Sequence, residues 1–262
     1  MLNGVFSMNI SKSHQSTNIV YSSSKDGIIN LSVNPILLSK YSDYFCQLYF
    51  PEKLSRIKIY DKYSKDIFKT FIDLCQEIEV KITQKTLFKL DKLAIKWRAP
   101  EISHYLNQKM CEITDQPSFC LNVFQHQIKY KRDIKISTRN VAFHLKFFLG
   151  ENFDEKNQYL AYFLDLDANF ISELFKLSKK LNPLNPISDI FICSFFMNFS
   201  KRKNFTFECV NLLKSVEFQY LEYSLLFDVH EFLIDNFKIN ILSVYLPPLE
   251  NPNFSSDENE NE

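Results

Sequence analysis

Residues whose side chains commonly carry acid–base or metal chemistry are scattered along this chain. The acidic pair Asp165 and Asp167 flanks a predicted helix end, where carboxylates more often cap the helix than act as general acid and base. A lone histidine on a helix, such as His230 beside Glu231, is typically solvated or hydrogen-bonded. The histidines never pair at metal-ligand spacing; they are His14, His104, His126, His144 and His230. We therefore predict no catalytic residue, no metal site and no enzyme activity.

Cysteine and glycine usage argues against two further kinds of site. None of the cysteines forms a Cys-x-x-Cys pair, so the sequence does not indicate a closed zinc site. Most stand among apolar residues at helical spacing and are predicted to be reduced thiols in the core; they are Cys46, Cys75, Cys111, Cys120, Cys193 and Cys209. The only glycines are Gly4, Gly27 and Gly150, too few for a P-loop or a dinucleotide-binding fingerprint. We predict no cofactor and no small-molecule substrate.

The charge balance argues against a nucleic-acid partner. The chain has 31 basic and 31 acidic residues, whereas proteins that neutralise phosphates usually carry a basic excess. Residues 129–146 are locally basic, because Asp133 alone opposes the side chains of Lys129, Lys131, Arg132, Lys135, Arg139 and Lys146. Two interpretations stay open for this segment. It contacts an acidic partner, such as the chain's own acidic tail, or it is a solvated loop and helix face.

Nothing in the sequence predicts export or membrane insertion. The start of the chain, Met1 to Ser16, lacks the basic region and following apolar stretch of a signal peptide. Charged residues interrupt every apolar stretch well before the ~20 residues that a membrane span needs. We therefore expect a cytoplasmic protein without a membrane partner, and a nuclear location stays open.

Strands and helices alternate up to Met110. Asp26-Gly27 predicts a tight turn between strands at 18–22 and 28–33. Apolar spacing then predicts two short helical turns ending at Pro51, a strand at 57–60, a helix after Ser64, a strand at 78–82, a helix after Thr83 and a helix after Pro100. The apolar stripe of the helix after Thr83 ends at Trp97, which is predicted to be core. These elements indicate a mixed α/β unit.

Helical periodicity alone follows Pro117. The predicted helices span 118–130, 138–149, 156–164, 169–181, 187–199, 206–215 and 223–236. We place the boundary between the two domains between Cys111 and Ser118, where the periodicity changes. The last residues, 247–262, carry five acidic side chains and no basic one, and are predicted to be a disordered acidic tail.

The first half resembles a BTB/POZ domain. After the hairpin, Leu38, Ser42 and Phe45 lie on that family's spacing, and the helix ending at Trp97 precedes Ala99-Pro100, where the family has its break before the last helix. The resemblance implies that residues 17–112 form a BTB/POZ domain with a short sheet capped by helices.

The second half resembles the BACK domain that follows BTB in kelch-like proteins. The clearest similarity is to the family's Leu-Leu-x-x-Val-Arg-Phe-x-x-Leu pattern, which here spans Leu212 to Leu221 with Glu217 in place of the arginine. The resemblance implies an all-α BACK-like domain over residues 118–246. Together the two halves predict an α+β chain.

The resemblance also implies a function. BTB domains that dock onto a cullin carry an apolar-x-Glu element where this chain has Phe50-Pro51-Glu52. The resemblance implies that the chain is a non-enzymatic adaptor that brings substrates to a cullin-RING ubiquitin ligase. The partner-binding residues would be Leu48, Phe50 and Glu52. The alternative for the motif is that Phe50 closes the core and Glu52 is solvated. The alternative function is an oligomerising scaffold that binds itself and has no ubiquitin-ligase role.

Overall fold

The computed structural model of the chain describes residues 16–50 and 54–241. Within them, a three-stranded sheet together with helices confirms the predicted α+β class. The chain divides into two compact units, Met1–Ile113 and Thr114–Glu262. In those same residues, no helix combines the length and the apolar composition that crossing a membrane requires. The predicted site residue Glu52 and the predicted tail, 247–262, lie outside the described residues.

The sheet of the first unit begins with the predicted hairpin. Strands β1 (Thr17–Ser23) and β2 (Gly27–Val33) pair antiparallel, and β3 (Arg56–Asp61) pairs parallel with β1, in the order β2-β1-β3. Gly27 has a φ of 88°, which a residue without a Cβ adopts freely. Alternation along β1 and β3 buries one face of the sheet, with Ile19, Tyr21, Ile57 and Ile59 in the core.

Several helices of the first unit begin at residues whose side chains cap them. The helices are α1 (Pro35–Tyr41), α2 (Asp43–Tyr49), α3 (Lys65–Cys75), α4 (Gln84–Lys96) and α5 (Pro100–Cys111). Ser64 caps α3, and its Oγ accepts the N–H of Ile67 at 3.5 Å. The N–H of Thr83 donates to Thr86 Oγ1 at 3.1 Å at the start of α4. Helix α3 contacts β1 and β2, and α4 packs on α5.

The prediction of a strand at 78–82 is wrong. These residues form no regular secondary structure and do not pair with the sheet. Glu77 has a left-handed φ of 60°, and the N–H of Ile78 turns back to donate to the Asp73 carbonyl at 2.9 Å, which ends α3. Ile78 is 53% exposed. The alternating pattern is present, but the turn commits its first amide to the helix rather than to a neighbouring strand.

Among residues 114–241, the second unit contains helices and no strand. Its α-helices are α6 (Pro117–Lys129), α7 (Lys135–Phe143), α8 (Leu145–Leu149), α9 (Leu160–Asp165), α10 (Ala168–Leu181), α11 (Asp189–Arg202) and α12 (Tyr223–Phe237). Its core is built largely from phenylalanine, and the fully buried rings include those of Phe124, Phe148, Phe163, Phe175, Phe191, Phe195, Phe196 and Phe199. The chain has 26 phenylalanines, and large apolar rings of this kind stabilise a fold most when they are buried.

Three helix predictions in this unit need correction. The helix predicted at 156–164 begins only at Leu160. The helix predicted at 138–149 is two helices, because the chain breaks at His144, whose Nε2 donates to the Thr114 carbonyl at 2.6 Å. The helix predicted at 206–215 is a 3-10 segment, Phe207–Ser215. Within it, the Asn211 carbonyl accepts from Ser172 Oγ at 2.6 Å, so a side chain of α10 takes the place of a helical amide.

The prediction that the cysteines are core residues is confirmed for all but Cys46, which is half-buried. Burial raises the pKa of the Cys75 thiol well above its usual range and raises the pKa of the Cys193 thiol to about 12.

Cys75 and Cys193 should therefore resist alkylation in the native protein. Because a raised pKa keeps both thiols protonated at pH 8, the reactive thiolate is scarce, and burial also blocks access. We expect iodoacetamide to modify Cys46 first, and Cys75 and Cys193 only after unfolding, as read by mass spectrometry of tryptic peptides. Labelling of Cys193 as fast as Cys46 in the folded protein would contradict this assignment.

Candidate functional site

Two of the predicted partner-binding residues, Leu48 and Phe50, lie at the end of α2, and Ser42 fixes the start of that helix. Ser42 Oγ is buried, donates to the Trp97 carbonyl at 2.6 Å and accepts the N–H of Phe45 at 3.4 Å. The N–H of Asp43 donates to the Arg98 carbonyl at 3.0 Å. One serine thus caps α2 and also ties it to the end of α4.

Removing this hydroxyl should destabilise the first unit. Ser42→Ala leaves the buried Trp97 carbonyl without its donor and α2 without its cap, so we expect a loss of about 1–2 kcal/mol in the free energy of unfolding. Urea denaturation followed by circular dichroism measures this loss. Ser32→Ala, at an exposed position of β2, is the matched control and should stay within about 0.5 kcal/mol of wild type. An equal effect of the two substitutions would disprove the assigned role.

Aromatic packing holds the inner side of α2. The Phe45 ring is fully buried and meets the Trp97 ring edge-on at 5.2 Å between centroids. The half-buried Tyr44 ring stacks on the same indole at 5.9 Å. On the outer side, Arg98 Nη2 donates to Gln47 Oε1 at 2.5 Å. The helix therefore presents a fixed outer surface, since both its sides are attached to the end of α4.

Phe50 is the exposed end of this helix. Its N–H donates to the Cys46 carbonyl at 3.1 Å, yet its side chain is 55% exposed. The neighbouring Tyr49 is buried, and its ring meets that of Phe50 edge-on at 5.6 Å. The alternative in which Phe50 closes the core is wrong, because the core position at this turn belongs to Tyr49.

The other two predicted partner-binding residues are Leu48 and Glu52. Leu48 is half-buried, so only part of its side chain is open to a partner. Glu52 lies outside the described residues. Asp43 and Gln47 are exposed, and their helical spacing places them on the face of α2 that ends at Phe50. The surface formed by Asp43, Gln47, Leu48 and Phe50 is hereafter called the α2 surface.

The contacts of the acidic pair Asp165 and Asp167, and the buried position of His230, belong to the fold of the second unit. Asp167 caps α10, and its Oδ1 accepts the N–H of Asn169 at 2.9 Å, as predicted. Asp165 pairs with Arg202 at 2.5 Å. His230 departs from the expectation of a solvated or hydrogen-bonded side chain, because it is buried in α12 and its Nδ1 has no hydrogen-bond partner among the described residues.

The buried carboxylate of Asp91 was not predicted from the sequence. Asp91 is fully buried in α4, and its Oδ1 accepts a hydrogen bond from Ser103 Oγ of α5 at 2.7 Å. Its position among Leu90, Leu93 and Ala94, all buried, was the available signal, since a charged residue inside an apolar stripe is rarely solvated. The hydrogen bond joins the two helices that follow the sheet.

Comparison with known proteins adds no family to these observations. No protein-family model matches the chain, and no curated protein matches its sequence. Within residues 16–50 and 54–241, no group of three or more His, Cys, Asp or Glu side chains is placed to hold a metal ion.

Proposed function

We propose that this chain is a non-enzymatic protein-interaction adaptor that docks onto a cullin scaffold of a ubiquitin ligase through the α2 surface. The observation that supports the proposal most is the exposure of Phe50, a large apolar side chain that is 55% accessible at the end of a helix held in place by Ser42. The resemblance of the first half to BTB/POZ domains suggests the class of partner.

The arrangement of the α2 surface suits protein docking. Binding energy at interfaces concentrates in a few aromatic anchors that enter pockets on the partner, while polar residues around them exclude water. Phe50 takes the place of such an anchor, and Asp43 and Gln47 lie beside it along the helix. Because Tyr49 and Phe45 fill the core beneath, the anchor is pre-organised and loses little conformational entropy on binding.

A titration of the full chain with a panel of cullin N-terminal regions tests the proposal. We expect one member to bind with a dissociation constant in the micromolar range or tighter, measured by calorimetry. No heat of binding to any cullin at about 100 µM protein, where a useful complex would be mostly formed, would overturn the cullin proposal.

A second candidate function is self-association, and the open face of the sheet favours it. In the register of the strands, Ser22 stands opposite Ile28 on one side and Tyr60 on the other, and the side chains of Ile28 and Tyr60 are 65% and 76% exposed. The three residues form a row across the sheet whose two large apolar members a second copy could cover. Light scattering of the wild type and of Ile28→Lys separates the two functions. A dimer that Ile28→Lys dissociates supports self-association, and a monomer at all concentrations excludes it.

A further inference from the structure

A groove in the second unit combines apolar walls with a basic rim. It has a volume of about 320 Å³ and is lined by Thr114, Arg139, Asn140, Phe143 and Leu181. Most of the lining comes from α7, whose opposite face is buried through Val141 and Ala142. The Phe143 ring is 50% exposed, so the groove offers an aromatic surface to a ligand.

Hydrogen bonds hold the walls of this groove. His144 Nε2 donates to the Thr114 carbonyl at 2.6 Å, which fixes the segment before α6 against the end of α7. Asn182 Nδ2 donates to the Phe143 carbonyl at 2.8 Å, which fixes the end of α10 to the same point. The groove therefore exists before any ligand arrives, as a binding site of low entropic cost requires.

The rim of the groove carries two basic side chains that form no salt bridge with the described residues. Lys135 and Arg139 lie one helical turn apart on the exposed face of α7, and neither has a carboxylate within salt-bridge distance in residues 16–50 or 54–241. Lys146, by contrast, pairs with Glu151 at 3.0 Å. A ligand of this groove should therefore bring carboxylates to α7 and an apolar group to Phe143.

The C-terminal residues of the chain have this chemistry. Phe254 is followed, without any basic residue, by Asp257, Glu258, Glu260 and Glu262. The described part of the chain ends at Ile241, which is buried in the core of the same unit as the groove.

The tail is also long enough to reach the groove. Phe254 and Asp257 follow Ile241 by 13 and 16 residues, which span up to about 43–47 Å and 53–58 Å when extended. A unit of roughly 130 residues has a radius of gyration of about 14 Å, so half the circumference of the equivalent sphere is roughly 57 Å. An acidic segment tethered at Ile241 can thus reach most of the surface of the unit, at an effective concentration that favours even a weak contact.

We propose that the acidic C-terminal segment, residues 254–262, binds in cis to the groove of α7. The carboxylates of Asp257 to Glu262 face Lys135 and Arg139, and the Phe254 ring packs against Phe143 and Leu181. The inference is independent of the proposed function, because it concerns only the second unit. It gives the locally basic segment of the sequence a specific occupant.

Zero-length cross-linking of the full chain tests this proposal. A carbodiimide joins a lysine amine to a carboxylate only where the two are in contact, and mass spectrometry identifies the joined peptides. We expect cross-links between Lys135 and the 257–262 segment, with a yield that does not depend on protein concentration. Arg139→Glu keeps Lys135 as the reporter and should lower the yield about fivefold, as expected for the reversal of one exposed charge contact.

Two controls make the result decisive. Lys214→Glu reverses an exposed lysine elsewhere in the same unit and should leave the Lys135 cross-link unchanged. Phe254→Ala retains every carboxylate and should lower the yield, because it removes the ring that packs against Phe143. An unchanged yield for this variant would overturn that contact. Cross-links spread over exposed lysines without preference for Lys135, a yield that Arg139→Glu does not change, or cross-links that form only between molecules would each overturn the proposal. Because Arg139 and Lys214 are exposed, unchanged thermal unfolding of both variants shows that the fold is intact.

Discussion

Trp97→Ala is expected to lower the free energy of unfolding of the first unit by about 3–5 kcal/mol. Trp97 is 2% exposed. Its backbone carbonyl accepts the hydrogen bond of Ser42, the residue that caps α2. Aromatic rings surround it at centroid distances of 5.1 to 5.9 Å, from Tyr44, Phe45, Phe68 and Phe71. Alanine would leave a cavity that these rings, which belong to α2 and α3, cannot fill without moving both helices.

Chemical denaturation followed by far-UV circular dichroism measures the loss at Trp97. Trp97→Phe is the matched control, because it keeps an aromatic ring at the centre of the cluster, and it should cost less than half as much. In the wild type, the emission of this single tryptophan should be blue-shifted and resist quenching by iodide. A loss below about 1 kcal/mol for Trp97→Ala would show that the cluster does not stabilise the unit.

Phe50→Ala is expected to lower the affinity for a cullin by roughly 30- to 1,000-fold. Truncating a central aromatic anchor typically costs ~2–4 kcal/mol of binding free energy, and each ~1.4 kcal/mol is a factor of ten in the dissociation constant. Because the side chain is 55% exposed in the free protein, the substitution should change thermal stability little. The effect should therefore appear in binding and not in folding.

Calorimetric titration of the wild type and the variants measures the effect at Phe50. Tyr60→Ala removes another exposed aromatic ring of the same unit and should bind like wild type. Glu52→Lys should weaken binding modestly, in a way that depends on salt, since a charge at the rim acts mainly on the association rate. Equal affinities of wild type and Phe50→Ala, with both proteins folded, would reject the α2 surface as the docking site.

Local chemistry in the sequence predicted much of the first unit. Asp26-Gly27 predicted the hairpin because its turn requires a positive φ, which Gly27 has in the structure. The caps at Ser64 and Thr83 predicted where α3 and α4 begin. The apolar stripe of α4 predicted the burial of Trp97, since one face of a helix must pack against the core.

The predictions failed where a contact distant in sequence decides the local structure, or where a turn overrides the pattern. Residues 78–82 alternate like a strand, but the N–H of Ile78 bonds back to α3. His144, at the break between α7 and α8, bonds to Thr114, 30 residues away, and Ser172 of α10 bonds to the Asn211 carbonyl of the 3-10 segment. The exposure of Phe50 could not be predicted from the sequence either. Two aromatic residues stand side by side there, and nothing in their types indicates that Tyr49 rather than Phe50 occupies the core.

Hydrogen–deuterium exchange of the full chain, free and with saturating cullin N-terminal region, tests the central claim most directly. If the chain is an adaptor that docks through the α2 surface, backbone amides of residues 43–50 should exchange more slowly in the complex, while those of the exposed hairpin turn, 24–27, stay unchanged. Unchanged exchange across 43–50 in a formed complex, with protection elsewhere in the chain, would contradict the claim.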